Sequence, residues 1–199
     1  MNLRLYSMAY DMKSVFYLDT TLAITNGAGG GASTQLDLSA YIDPIARGRS
    51  KGTGLAVYKV HFSMDDASSN DPAGVNVTDT GILRAALIAG LGTGEQAVSA
   101  ISFANNTINA ANDLAVAGFD YYAPDAFGTG VLSSQVSAPS MWLEPSEKVP
   151  YVIVRDNVCL VAEVGANFSN AVAISCRMEV AQVTLDQATL NQLLRTQTV

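Results

Sequence analysis

The single histidine, His61, is the first residue to examine for catalysis, because histidine exchanges protons most readily near neutral pH. A Ser-His-Asp or Cys-His site within one chain would have to be built on this residue, and a metal site with several histidines is excluded. His61 alternates with Lys59 and Ser63 in a strand-like run, which predicts the polar face of a strand. We therefore expect no catalytic residue and no enzymatic activity.

Acidic residues gather in one segment that is also rich in Ser and Asn. Asp65, Asp66 and Asp71 could supply oxygen ligands to calcium, with Asn70 and Asp79 nearby. Their spacing does not match the twelve-residue calcium loop, so the pattern favours a solvated loop. The three aspartates are the candidate metal ligands if calcium binds, and we expect no metal or other cofactor.

A glycine-rich segment formally matches the dinucleotide-binding pattern G-x-G-x-x-G/A. It runs from Gly27 to Ala32. That pattern requires a following helix whose N-terminus binds the pyrophosphate, yet residues 32–40 are rich in Ser and Thr. The sequence therefore predicts a flexible loop over Gly27–Gly31 and no nucleotide site.

The composition is poor in charge. Charged residues make up 15% of the chain and hydrophobic residues 49%, whereas soluble domains usually carry about 25% charged residues. Small, weakly polar surfaces are easily desolvated and suit large permanent interfaces. The net charge is −7 with 11 Lys and Arg scattered along the chain, so we expect no nucleic-acid-binding face.

Membrane and secretion signals are not expected. No apolar run approaches the roughly 18 residues of a membrane-spanning helix. The first residues are interrupted by Arg4, Asp11 and Lys13, so they contain no secretory apolar region. The sequence predicts a protein that is made and assembled inside a cell.

The clearest structural signal is a strand near the C-terminus. Apolar and polar residues alternate over Val172–Val180. Leu160, Ala162 and Val164 show the same period, and residues 166–170 are polar, which predicts a β-hairpin with Leu160 opposite Cys176. Cys159 and Cys176 would then project to opposite faces, so no disulfide between them is expected.

A second alternation runs over residues 56–64. It predicts a core face formed by Tyr58, Val60, Phe62 and Met64. The further strand candidates are Phe16–Ile24, Ile82–Ala89, Val98–Phe103, Leu114–Tyr121, Met141–Leu143 and Tyr151–Val154. About eight short runs separated by turn residues are typical of an all-β antiparallel sandwich.

One short helix is predicted at the C-terminus. Thr184 and Gln187 fit a capping box, and Val183 can pack against Ala188. Leu190, Leu193 and Leu194 then form an apolar stripe that must dock on this domain or on a neighbour. No linker divides the chain, so residues 1–199 are expected to form one domain.

The complete pattern resembles the jelly-roll capsid proteins of icosahedral viruses. The likeness lies in chain length, about eight strands, few charges, and the run Arg177–Thr184 leading into a short helix. It implies a jelly-roll-like sandwich and a capsid subunit in a virion assembled in the host cytoplasm. Its partners would be copies of itself and other virion proteins, and residues 1–18 and 184–199 would be inter-subunit arms.

The absence of a long basic arm departs from many coat proteins that package a genome, and would suit a shell over an internal membrane or a separate scaffold. No small-molecule substrate is expected. Leu190, Leu193, Leu194 and Trp142 are the interface candidates.

The alternative is a β-sandwich binding module, such as a virion spike, an adhesin or a carbohydrate-binding domain. Such a module would need exposed aromatic residues. Trp142, with Tyr121 and Tyr122 in a separate segment, is the only cluster that the sequence offers.

Overall fold

A computed structural model describes residues 15–24, 30–43, 51–67, 81–90, 110–123, 139–164, 168 and 170–197. Within these residues the chain forms nine β-strands and one α-helix. They are β1 (Phe16–Ile24), β2 (Gly30–Asp37), β3 (Lys51–Asp66), β4 (Ile82–Ala89), β5 (Ala115–Tyr122), β6 (Pro139–Leu143), β7 (Tyr151–Ile153), β8 (Asn157–Val164), β9 (Val172–Asp186) and α1 (Gln187–Thr196).

The strands form two antiparallel sheets. Sheet A has the order β1-β9-β3-β7 and sheet B the order β2-β8-β4-β5-β6. Apart from β6, the pairing is nested: β1 pairs with β9, β2 with β8, β3 with β7 and β4 with β5. This order is a jelly roll, a long hairpin folded over into two sheets. The predicted all-β antiparallel sandwich with a short C-terminal helix is confirmed.

The core lies between the inner faces of the two sheets. Leu55, Val57, Val60, Ile174 and Met178 contribute to it from sheet A and are at most 2% exposed. From sheet B the core receives Leu83, Leu87, Phe119 and Leu160. The rings of Phe62 and Phe119 stack with centroids 5.4 Å apart, so an aromatic pair joins β3 to β5 across the sandwich.

A β-bulge in β3 overturns one predicted core position. Val57 pairs with Val180 and Lys59 with Glu179, so Tyr58 is the extra residue between them. The bulge shifts the alternation by one residue. Val57 therefore faces the core where Tyr58 was predicted to, while Val60 and Met64 are buried as expected and Phe62 packs against the core.

Two further strand predictions are confirmed, and one loop prediction is wrong. Phe16–Ile24 and Ile82–Ala89 are strands with the predicted bounds. The segment that begins at Gly30 is also a strand, β2, where a loop was predicted for Gly30 and Gly31. Pairing with β8 along eight residues holds this polar strand in place. Residues 25–29 and the candidate strand Val98–Phe103 lie outside the described residues.

The predicted hairpin between β8 and β9 is wrong, because the two strands belong to different sheets. Leu160 lies opposite Thr34 and Leu87, and Cys176 lies opposite Thr20 and Phe62. Matching apolar faces gave the wrong partner strand for β8. Val158–Ala162 is buried on both faces, so its sequence pattern does not indicate which strand it pairs with. The absence of a Cys159–Cys176 disulfide is confirmed, although the separation between sheets is the cause.

The C-terminal helix starts later than predicted. Residues 184–186 continue β9, and Asp186 is the N-cap, accepting a hydrogen bond from the Thr189 N–H at 2.7 Å. This hydrogen bond lowers the pKa of Asp186. The capping box of Thr184 and Gln187 is therefore wrong, because β9 remains paired with β3 as far as Asp186.

The helix docks on its own domain. Leu190 is fully buried beside Gly52, where an added Cβ would lie 2.7 Å from a Leu190 methyl carbon. After the helix, the Gln197 side chain accepts a hydrogen bond from Val154 N–H at 3.1 Å and donates one to the Val152 carbonyl at 2.6 Å. Arg155 Nε donates to the Gln197 carbonyl at 2.9 Å. These contacts close the β7 edge of sheet A.

Candidate functional site: the polar face of sheet A

The outer face of sheet A presents aligned polar side chains on three neighbouring strands. Alternation along each strand turns one set of residues inward and the other outward. The outward set, here called the polar face, consists of Tyr17, Asp19 and Thr21 on β1, Ser175, Arg177 and Glu179 on β9, and Lys59, His61 and Ser63 on β3.

Strand register arranges the polar face in rows across the sheet. Asp19 lies opposite Arg177, which lies opposite His61 on the other side of β9. The adjacent rows are Tyr17, Glu179 and Lys59 on one side, and Thr21, Ser175 and Ser63 on the other. Cross-strand neighbours on one face are close enough to interact directly. The rows therefore bring carboxylates, cations and hydroxyls together.

Two hydrogen bonds join side chains of the polar face, one between adjacent rows and one within a row. His61 Nε2 lies 3.0 Å from Glu179 Oε1, with the two side chains 46% and 29% exposed. Thr21 Oγ1 and Ser175 Oγ are 3.0 Å apart. Both contacts are solvent-exposed, so each contributes little to the free energy of folding.

Arg177 and Asp19 remain without such a partner. Although they face each other across β1 and β9, they form neither an ion pair nor a side-chain hydrogen bond within the described part of the chain. The Arg177 guanidinium instead lies over the Tyr17 ring, with its central carbon 5.8 Å from the ring centroid. The hydrogen-bonding groups of Arg177 and Asp19 are thus directed to solvent.

The polar face contains an open groove of about 710 Å³. Ligand sites of small molecules typically have volumes of about 300–1,000 Å³. Catalytic geometry is not evident in the described residues of the groove. His61 Nε2 faces Glu179, and Ser63 Oγ donates to Asp65 Oδ2 at 3.4 Å rather than contacting the imidazole. The arrangement can bind through hydrogen bonds, but it presents no activated nucleophile.

The calcium candidates are not brought together. Asp65 and Asp66 are neighbours at the end of β3, so their side chains project to opposite faces. Asp66 is 6% exposed and accepts a hydrogen bond from Asn170 Nδ2 at 3.1 Å. Asp71, Asn70 and Asp79 lie outside the described residues. Among the described residues there is no group of three His, Cys, Asp or Glu suited to a metal ion.

Sheet B carries a different charged cluster on its outer face. Arg84 donates two hydrogen bonds to Asp120, at 2.8 and 2.7 Å, and Asp120 is 6% exposed. These hydrogen bonds raise the pKa of the Arg84 guanidinium. The Trp142 ring lies 5.9 Å from the Arg84 guanidinium carbon and flat against Gly118. Glu163 is opposite Arg84 on β8.

The aromatic residues considered for a binding module do not form an exposed platform. Trp142 is half-buried, and its indole nitrogen is enclosed. Tyr121 is 5% exposed and packs near Phe168 in the sandwich core. Only Tyr122 of the neighbouring pair remains half-buried, and its hydroxyl lies 3.4 Å from Asp120. Trp142 therefore serves packing in this chain.

The other interface candidates lie on α1. Leu190 is completely buried within its own chain, whereas Leu193 and Leu194 are half-buried. Contact between subunits through this helix would therefore have to use Leu193 and Leu194. Residues 1–14 of the predicted N-terminal arm lie outside the described residues, and residues 16–18 belong to β1.

The groove was not identified from the sequence, although part of its signal was visible. Alternation over Val172–Val180 already placed Ser175, Arg177 and Glu179 on one outward face. The missing information was the pairing of β9 with β1 and β3, which brings Asp19 and His61 beside Arg177.

Comparison with family models, curated proteins and solved structures found no match for this chain. Among the described residues, no helix is long and apolar enough to cross a membrane.

Proposed function

We propose that this chain is a structural subunit of a viral capsid shell that assembles through weakly charged lateral surfaces. The observation that carries the proposal is the nested strand order, because viral shells are among the principal assemblies built from jelly rolls. Because one fold hosts many functions, a capsid role must also be supported by the exposed surfaces of the chain.

Exposed apolar side chains lie at the two lateral edges of the sandwich. Val15 precedes edge strand β1 and is 39% exposed. At the opposite edges, Met141 on β6 is 37% exposed and Val149, between β6 and β7, is 74% exposed. Contacts between two different edges of identical subunits are heterologous, and heterologous contacts build rings when the rotation between subunits closes. Flank-to-flank assembly fits this distribution.

The low charge supports the same proposal. Only 15% of residues are charged, so few ionic groups would have to be desolvated when subunits meet. A shell multiplies each contact by symmetry, so a modest interface is sufficient for a stable particle. The expected location is the virion, with copies of this chain and other virion proteins as partners.

The direct test is to express the full chain and measure its size by sedimentation velocity and negative-stain microscopy. We expect closed particles far larger than the 20.9 kDa monomer. Val149→Asp should abolish them, because it adds an unpaired charge to the proposed flank contact without disturbing the core.

Ala67→Asp is the matched control, because Ala67 is also exposed and follows β3, which is not an edge strand of either sheet. It should assemble like the parent chain. A chain that remains monomeric at high concentration, alone and with its neighbouring virion proteins, would contradict the proposal. If Val149→Asp assembles as well as the parent chain, the flank that contains Val149 does not form the contact between subunits.

A further inference from the structure

The groove on the polar face contains donors and acceptors that the fold does not use. Asp19 and Arg177 face each other, yet neither side chain has a hydrogen bond or an ion pair within the described chain. The guanidinium carries five N–H donors and the carboxylate accepts several hydrogen bonds. A ligand that both donates and accepts would satisfy the two together.

Charge limits the class of ligand. Asp19 and Glu179 flank Arg177 in the groove, so two carboxylates accompany one guanidinium. A phosphate, sulfate or carboxylate ligand would approach Arg177 but meet two like charges. A neutral ligand avoids this repulsion, and hydroxyl groups can donate to the carboxylates while accepting from Arg177. The Thr21, Ser63 and Ser175 hydroxyls extend the same hydrogen-bonding surface.

An aromatic ring adjoins these polar groups. Tyr17 is 59% exposed, the most exposed aromatic side chain among the described residues. Its ring lies beside the Arg177 guanidinium, so an apolar surface and a set of donors occupy one site. Sugar rings have this same character, because their C–H groups pack on aromatic rings while their hydroxyls take directed hydrogen bonds.

We propose that the groove across β1, β9 and β3 binds a neutral carbohydrate. The three strands span about 10 Å, because neighbouring strands lie about 4.8 Å apart. That width matches two linked sugar rings. The groove is open, so affinity for one disaccharide should be weak, with a dissociation constant on the order of 1 mM, and useful avidity would come from repeated copies.

The test uses the full chain and five defined probes: lactose, cellobiose and maltose as neutral sugars, and sialyllactose and a sulfated disaccharide as anionic ones. Two-dimensional amide NMR should show saturable shifts in β1 and β9 with at least one neutral probe. The anionic probes should bind about tenfold more weakly or not at all.

Variants identify the site. Arg177→Ala and Tyr17→Ala should each weaken binding about tenfold. Tyr17→Phe should stay within about twofold of the parent chain, because it keeps the ring. Thr184→Ala is the matched control, an exposed position of β9 outside the groove, and should bind like the parent chain. Thermal unfolding of each variant establishes that it is folded.

Three outcomes would overturn the proposal: no saturable shift with any neutral probe at about ten times the expected dissociation constant, binding of anionic probes only, or binding that Arg177→Ala and Tyr17→Ala leave unchanged. The assembly variants change other residues, so carbohydrate binding and shell formation can fail independently.

Discussion

The two sheets of the sandwich differ in how their outer faces are used. In sheet A, burial alternates along β1 and β9, so one face packs in the core and the other meets solvent. In sheet B, β4, β5 and β8 are buried on almost every residue, so both faces are enclosed within the chain. Ala86, Ile88, Cys159 and Val161 form a second apolar cluster on the outer side.

This difference separates the residues that maintain the fold from those available for binding. On sheet B, an outward side chain must fit its enclosed surroundings, and even its charges are paired, as Arg84 is with Asp120. On sheet A, outward side chains are exposed to water and need not pack against other residues. Asp19 and Arg177 can therefore lack hydrogen-bond partners within the described chain at little cost in folding free energy. Stability and binding should therefore respond to substitutions on different sheets.

The largest effect is expected from Asp120→Ala. It leaves the Arg84 guanidinium half-buried without its two charge-assisted hydrogen bonds. Unfolding free energy from urea titration should fall by about 3 kcal/mol, the lower end for a broken buried pair because Arg84 is partly exposed. If Asp120→Ala lowers the unfolding free energy no more than Glu179→Gln on sheet A does, the two sheets do not differ in how far stability depends on their outward side chains.

The two cysteines provide the next test, because one lies in each sheet. Burial raises the pKa of the Cys159 thiol to about 11 and that of Cys176 to about 12. An unfolded thiol ionises at about 8.5, so above that pH the unfolded state loses its proton first and stability falls. For Cys176, the loss should approach about 1.4 kcal/mol per pH unit between roughly pH 9 and 11.

Urea titrations at pH 8, 9 and 10 measure this slope. Cys159→Ala and Cys176→Ala should each reduce it. Native-state alkylation at pH 8 should be slow at both thiols, because both remain protonated. Rapid alkylation of Cys159 alone would show that water reaches the outer side of sheet B, which would contradict the burial of Cys159.

Gly118→Ala should have a smaller effect. A Cβ at Gly118 would overlap the Trp142 ring, so the indole must move away. Trp142 belongs to edge strand β6 and can shift, which limits the loss to about 1–2 kcal/mol. Tryptophan fluorescence reports the displacement directly, since the chain has one tryptophan. An unchanged spectrum together with unchanged stability would contradict the close packing.

The smallest change in stability is expected from a substitution on the polar face. Glu179→Gln removes the carboxylate from the contact with His61 at 3.0 Å, in a site open to solvent. Unfolding free energy should change by less than about 0.5 kcal/mol. Thermal unfolding in low and high salt is the measurement, and a change above 1.5 kcal/mol would mean that sheet A also depends on its outer side chains.

Sequence reasoning succeeded where a pattern had only one structural solution. β1 and β4 were predicted with their bounds, and the outward positions of Lys59, His61 and Ser63 followed from alternation. It failed where long-range pairing decided the outcome. β2 has little apolar alternation and depends on β8, while the Tyr58 bulge appears only when β3 meets β9.

The candidate site was less accessible to sequence reasoning for the same reason. Its three strands are separated along the chain by the whole of sheet B, so no local motif joins Asp19, His61 and Arg177. Only the strand order reveals them as neighbours.

The Gln197 amide blocks backbone hydrogen-bonding groups at the β7 edge of sheet A. It occupies the Val154 N–H and the Val152 carbonyl, the backbone groups that an incoming strand at β7 would need. While Gln197 is bound to these groups, an incoming strand cannot use them to pair with β7. Release of Gln197 would expose the Val154 N–H and the Val152 carbonyl, and a strand from a second molecule could then hydrogen-bond to sheet A at β7.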